Sequence, residues 1–265
     1  MSRFSFRPCM LIVVAAAALA GCAARPPVGD PDNLQTSSDQ TENQRRAHIR
    51  LQLAVGYYQH HELKVALDEV KRALQADPAS AEAYSMGGLI YMSMGESRLA
   101  EDYFQQALKL APGNPDFSNN YGWFLCQSGH PRESIPYFEK AFRNRGYESP
   151  AKALDNAGAC SLKLKETDAA QKYFLQAFQL DPSNLATSAN LARIYYDKHD
   201  YERAHFYINR VVKAEAVPAD MLWLAIKIER KFGDRASEAS LAAQLSRRYP
   251  DSAAYAAYQR GAFNE

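Results

Sequence analysis

Residues 81–112 read AEAYSMGGLIYMSMGESRLAEDYFQQALKLAP. Small residues fall at two places in this stretch, first the pair Gly87-Gly88 and then Ala100. Tyr91 follows the first, and Phe104 and Ala107 follow the second, at helical spacing. Residues three and four apart share one face of a helix, so each half predicts an amphipathic helix. The small residues let the two helices approach, and the large ones fill the space beside them. Pro112 stops the second half, because proline has no N–H for the helical ladder. The stretch therefore predicts one helix–turn–helix unit.

The unit recurs along the chain. Its second-half anchor appears as Ala66, Ala100, Ser134, Ala170, Ala204 and Ala239, at spacings of 34, 34, 36, 34 and 35 residues. Four residues beyond the first five anchors stand Val70, Phe104, Phe138, Phe174 and Ile208. Pro78, Pro112 and Pro182 close three of the units. The first halves carry matching small residues, among them Ala54, Gly88, Gly122, Gly158 and Ala192. A sixth unit around residues 221–248 is weaker. Trp223 and Ala239 fall in register, Lys227 replaces the small residue, and Pro250 comes one residue early. The excess of two residues between the third and fourth units falls in NRGYESP, residues 144–150, and predicts a longer inter-repeat loop.

This periodicity resembles the tetratricopeptide repeat (TPR). The resemblance implies an all-α, right-handed superhelix of about six helix-turn-helix repeats over residues 45–250. Residues 251–265 would form a C-terminal cap and tail.

The N-terminus reads differently. Arg3 and Arg7 precede an apolar run over residues 10–20, and Leu19-Ala20-Gly21-Cys22 closes it. The run has the length of a signal-peptide core and is too short to span a bilayer. Small residues before a cysteine at this place form the cut site of the lipoprotein signal peptidase. Residues 1–21 are thus expected to be a lipoprotein signal peptide, with lipid on Cys22. Ala23 follows, rather than the Asp of inner-membrane lipoproteins, so the expected location is the outer membrane, facing the periplasm. Residues 22–44 are rich in proline and small polar groups and cannot bury a core. They read as a tether with a typical span of about 25 Å.

The whole chain carries a formal charge of +1. Loss of Arg3 and Arg7 with an acid-free signal leaves about −1, which gives no electrostatic reason to expect nucleic acid. No nucleophile motif, metal-ligand spacing or phosphate loop is present. His60-His61 sits at a turn between helices, where solvated residues are expected rather than a metal. No cofactor, metal, small-molecule substrate or enzymatic activity is expected. Cys126 and Cys160 fall at non-equivalent positions of neighbouring units. They read as buried thiols packed as small apolar residues, with a disulfide as the alternative that the periplasm permits.

Transferring the TPR inner-face positions onto the chain points to a partner surface. Leu51, Val55, Tyr58, Leu89 and Met92 form an apolar strip that suits another chain's side chains. Asn119 and Asn120 follow, with Asn120, Asn156 and Asn190 recurring at one repeat position. Asparagine offers both donor and acceptor to an extended backbone. Trp123 ends the strip as a large rigid anchor. Packing between repeats is the competing reading for the strip, and repeat consensus for the asparagines.

Three stretches carry a closer resemblance. The third unit, GNPDFSNNYGWFLCQSG (residues 113–129), the segment YESPAKALDNAG (147–158) and the closing RRYPDSAAY (247–255) are similar to the PilF/PilW family of type IV pilus biogenesis and stability lipoproteins. That resemblance implies a non-enzymatic lipoprotein that binds the pilus secretin. It would promote the secretin's outer-membrane localisation or assembly, and so pilus formation and twitching motility. A TPR lipoprotein scaffold that recruits cell-wall enzymes is the alternative.

Overall fold

The computed structural model describes residues 40–263. Cys22, the signal sequence and most of the tether lie outside the described residues. Those described form thirteen helices and no strand. Six antiparallel pairs follow one another: α1 (Glu42–Gln59) with α2 (Leu63–Ala76), α3 (Ala81–Ser93) with α4 (Ser97–Leu110), and α5 (Pro115–Gln127) with α6 (Pro131–Phe142). Then come α7 (Pro150–Lys163) with α8 (Thr167–Leu180), α9 (Leu185–Asp197) with α10 (Tyr201–Val211), and α11 (Ala219–Phe232) with α12 (Arg235–Arg248). A short α13 (Ala253–Gln259) closes the array against α11 and α12. This is the all-α TPR superhelix read from the repeats.

The helix boundaries follow from local chemistry. The turn inside each pair passes through one left-handed residue: His61, Gly95, Gly129, Lys165, His199 and Gly233. Glycine suits that conformation and other residues adopt it at a cost. His61 is an exposed turn residue, as expected. Between pairs, Ser80, Asn114 and Asn184 cap the next helix by accepting from backbone N–H groups two or three residues on. Such caps satisfy donors that the first turn leaves orphaned.

Inside each pair, the volumes of two positions are complementary. Gly88 faces Phe104, Gly122 faces Phe138 and Gly158 faces Phe174. A methyl group on these glycines would come within 2.7, 2.9 and 2.8 Å of the rings. The three phenylalanines are fully buried, each contributing about 1.5–3 kcal/mol by leaving water. In the first and fifth pairs the same positions hold Ala54 with Val70 and Ala192 with Ile208, all buried.

The sixth pair corrects the sequence reading by one residue. Its left-handed turn is at Gly233, 34 residues after His199, so the anchor is Glu238 and not Ala239. Ala239 is exposed, whereas Glu238, Ala242 and Leu245 are buried. Pro250 then stands twelve residues after the anchor, as Pro78, Pro112 and Pro182 do. The position of the small residue falls to Ile226, not Lys227, and the large residue's place to Ala242. The complementarity is kept with its two members exchanged inside one cluster. Glu238 tolerates the anchor site because Arg230 and Arg235 pair with it at 3.0 and 2.8 Å.

The cysteines also correct the reading. Cys126 on α5 and Cys160 on α7 form a disulfide, with Cα atoms 6.0 Å apart. They are not free thiols. Each first helix of a pair turns one flank to the preceding repeat and the other flank to the next. Residues that meet across repeats therefore occupy different repeat positions.

Candidate partner-binding surface

The first helices of successive pairs lie side by side, with α3 against α5, α5 against α7 and α9 against α11. Hydrogen bonds stitch this layer. Tyr58 and Ser93 join hydroxyls at 3.0 Å. Asn120 donates Nδ2 to Ser85 Oγ at 3.2 Å, and Asn156 donates Nδ2 to Asn119 Oδ1 at 2.9 Å.

These contacts redistribute the expected site. Leu51 and Leu89 are half-buried against the cluster of Ala54, Val70, Met86 and Ile90. Met92 packs against the cluster of Ala100, Phe104, Tyr121, Phe124 and Leu125. Much of the strip is thus a seam between repeats, and Val55, 38 % exposed, is its open member. Asn119 is 1 % exposed and spends its oxygen on Asn156, so it faces its neighbour rather than open solvent. Asn120 is half-buried in the same ladder. Asn190, at the equivalent position, makes no such bond and lines open space. The repeat-consensus reading thus describes Asn120 and Asn156, not Asn190.

Trp123 is half-buried against Cys126, Phe138, Ala157 and Cys160. Its other side lines a groove of about 660 Å³ between α5, α7 and α9. The far wall comes from Glu148 to Ala151, supplied by the loop with the two extra residues. That loop is pinned from both ends. Asn144 donates to the Gly113 carbonyl at 3.1 Å and accepts from Gly146 N–H at 2.9 Å. Tyr147 is 7 % exposed and packs on Ala141 and Ala153.

Asp155 stands in the groove. Its oxygens accept from Thr187 Oγ1 at 2.6 Å and Asn184 Nδ2 at 2.8 Å. Burial pushes its carboxyl above the ordinary carboxylate range; the Thr187 bond opposes this, and the charge of Asp181 adds to it. The transferred inner-face positions include Asp155, but the sequence reading missed Glu148 and Asp181 as groove residues. The 36-residue spacing before the fourth unit was the signal that could have found the wall.

Among the described residues no cluster of three or more His, Cys, Asp or Glu could hold a metal, and no helix is long and apolar enough to cross a membrane. Tetratricopeptide-repeat profiles match residues 81–114 and 161–222. The type IV pilus assembly protein PilF of Pseudomonas aeruginosa is 29% identical over 94% of this chain and 96% of its own length. In sequence and fold the chain matches the PilF/PilW family of tetratricopeptide-repeat proteins. Among solved structures, Pseudomonas aeruginosa PilF superposes with a TM-score of 0.79 at 27% identity, covering 83% of this chain and all of the other. PilW, described as a widely conserved type IV pilus biogenesis factor, superposes with a TM-score of 0.72 at 29% identity, covering 80% and 98%. The inner-face seam and the Trp123 groove thus lie in a repeat array similar to those of PilF and PilW.

Proposed function

We propose that this chain is a type IV pilus biogenesis protein that acts by binding and performs no chemistry of its own. In this reading Cys22 carries lipid, the outer membrane holds the chain on its periplasmic side, and the repeats bind the pilus secretin to promote its localisation or assembly. The similarity to PilF along nearly the whole chain carries the reading. The lipobox supports the anchor, because several acyl chains hold a protein stably at a membrane. The inner face around Val55 and Trp123 offers the contact surface, with an aromatic anchor of the kind that dominates interface energies.

The test is a deletion strain scored for secretin oligomers and surface pili, complemented with variants. Wild type should restore both. Cys22→Ala should leave the chain off the outer membrane and lower both. Val55→Glu places a charge on the open part of the strip, and should weaken secretin capture while keeping helicity and melting. Full secretin assembly in the deletion strain would refute the reading. Cell-wall hydrolases captured in place of the secretin would favour a scaffold role.

A further inference from the structure

We propose that the groove between α5, α7 and α9 is a binding site for an extended peptide segment carrying a lysine or arginine, its cation seated between Trp123 and the carboxylates of Glu148 and Asp155.

Charge is the first argument. The groove is lined by Glu148, Asp155 and Asp181 against a single cation, Lys152. None of the three carboxylates lies in an ion pair among the described residues. Both donors to Asp155 are neutral. A half-buried carboxylate without a cation is unfavourable, and a positive group entering the groove relieves it. Burial already holds the Asp155 carboxyl upward, and a bound cation would bring it down.

Shape and surface chemistry give the second. The volume lies in the range of ligand clefts, and the walls mix Trp123, Pro150, Leu180 and Ala186 with the polar groups. A cation beside an indole face gains a further attraction. Asn190 projects an amide with no other side-chain partner. An extended segment keeps its backbone N–H and C=O groups free, and an asparagine amide pairs with both. A helix has already spent those groups on itself.

The third argument is how the wall is made. The spacing between the third and fourth units is two residues longer than those on either side, and the extra length forms the loop that carries Glu148. The loop is held by Asn144 and the buried Tyr147. The departure from the repeat period thus builds a fixed wall. This inference does not depend on the secretin being the partner.

The experiment uses the full lipidated chain in detergent and three immobilised pools of octapeptides. Each pool has one fixed central residue, Arg, Glu or Ala, with Leu, Val, Ser and Thr varied around it. The Arg pool should retain the protein at least tenfold more strongly than the Glu pool, with the Ala pool between. Retention should fall from 0.1 to 1 M salt as the Debye length shrinks from about 10 to about 3 Å. Glu148→Lys, at an exposed loop position, should reverse the preference while keeping the parent's melting curve. Ala186→Arg should abolish retention by filling the groove. Equal retention on all pools, preference for the Glu pool, or retention on none would overturn the proposal. So would a dimer that Glu148→Lys dissociates, since the occupant would then be a second copy. Val55→Glu, on the first pair and outside the groove lining, should leave peptide retention unchanged.

Discussion

Replacing Gly158 by alanine tests the packing rule of the repeats directly. The added methyl would sit 2.8 Å from the Phe174 ring, inside any normal carbon contact. Phe174 is 1 % exposed, so shifting its ring disturbs the contacts that bury it. Overpacking of this kind costs about 1–3 kcal/mol. Alanine's better helix propensity returns about 1 kcal/mol. The expected net effect is a loss of up to about 2 kcal/mol. Gly56→Ala is the internal control, because nothing lies within 4 Å of its added methyl in the last turn of α1. It should gain about 1 kcal/mol. A second control adds Phe174→Ile to Gly158→Ala, which reproduces the Ala192 and Ile208 pairing of the fifth unit. Each change should then cost less beside the other than alone, an interaction that a double-mutant cycle isolates. Urea unfolding followed by circular dichroism reads the parent, both glycine variants, Phe174→Ile and the double variant, with shifts in the midpoint at constant slope. If Gly158→Ala stabilises as much as Gly56→Ala, the glycine–phenylalanine contact does not constrain the fold and the reasoning fails.

Three further outcomes follow from the structure. Reducing the Cys126–Cys160 bond, or replacing both cysteines by serine, should cost about 3–4 kcal/mol for a separation of 34 residues, read as a lower urea midpoint. Tyr147→Phe should be neutral or gain about 1 kcal/mol, because the buried Tyr147 hydroxyl has no hydrogen-bond partner; a clear loss would reveal a partner. Glu229 is 0 % exposed, its oxygens lie 2.9–3.0 Å from His205 Nδ1, and burial holds its carboxyl above the ordinary 4.5 despite the His205 attraction. The folded chain therefore binds that proton more tightly than the unfolded chain, so parent stability falls as pH rises from about 4.5 through the raised value. Glu229→Gln removes this term, and its stability relative to the parent should climb across that window and level off above it. A difference that shrinks with rising pH would refute the sign.

The repeat array was legible because its determinants are local and periodic. Ala66, Ala100, Ser134, Ala170 and Ala204 fixed five units by spacing alone, and Pro78, Pro112 and Pro182 fixed the ends of three of them. The sixth unit slipped by one residue because its large and small positions are exchanged: Ile226 stands where glycine or alanine stood and Ala242 where phenylalanine stood. The turn glycine Gly233 carried the correct register. The inner-face residues were placed on the right helices, but not by what they touch.

Sequence by itself determined the helices, their pairing within units and the small-to-large complementarity, since these rest on positions less than one repeat apart. Only the tertiary structure decided how one unit meets the next. It joined Cys126 to Cys160, turned Asn119 and Asn120 into links between repeats, closed Leu89 and Met92 into a seam, and opened a groove beside Trp123. The physical reason is that neighbouring helices meet through opposite flanks. Their contacts join non-equivalent positions, with offsets of 34, 35 and 37 residues in these three links, and no single period in the sequence encodes them.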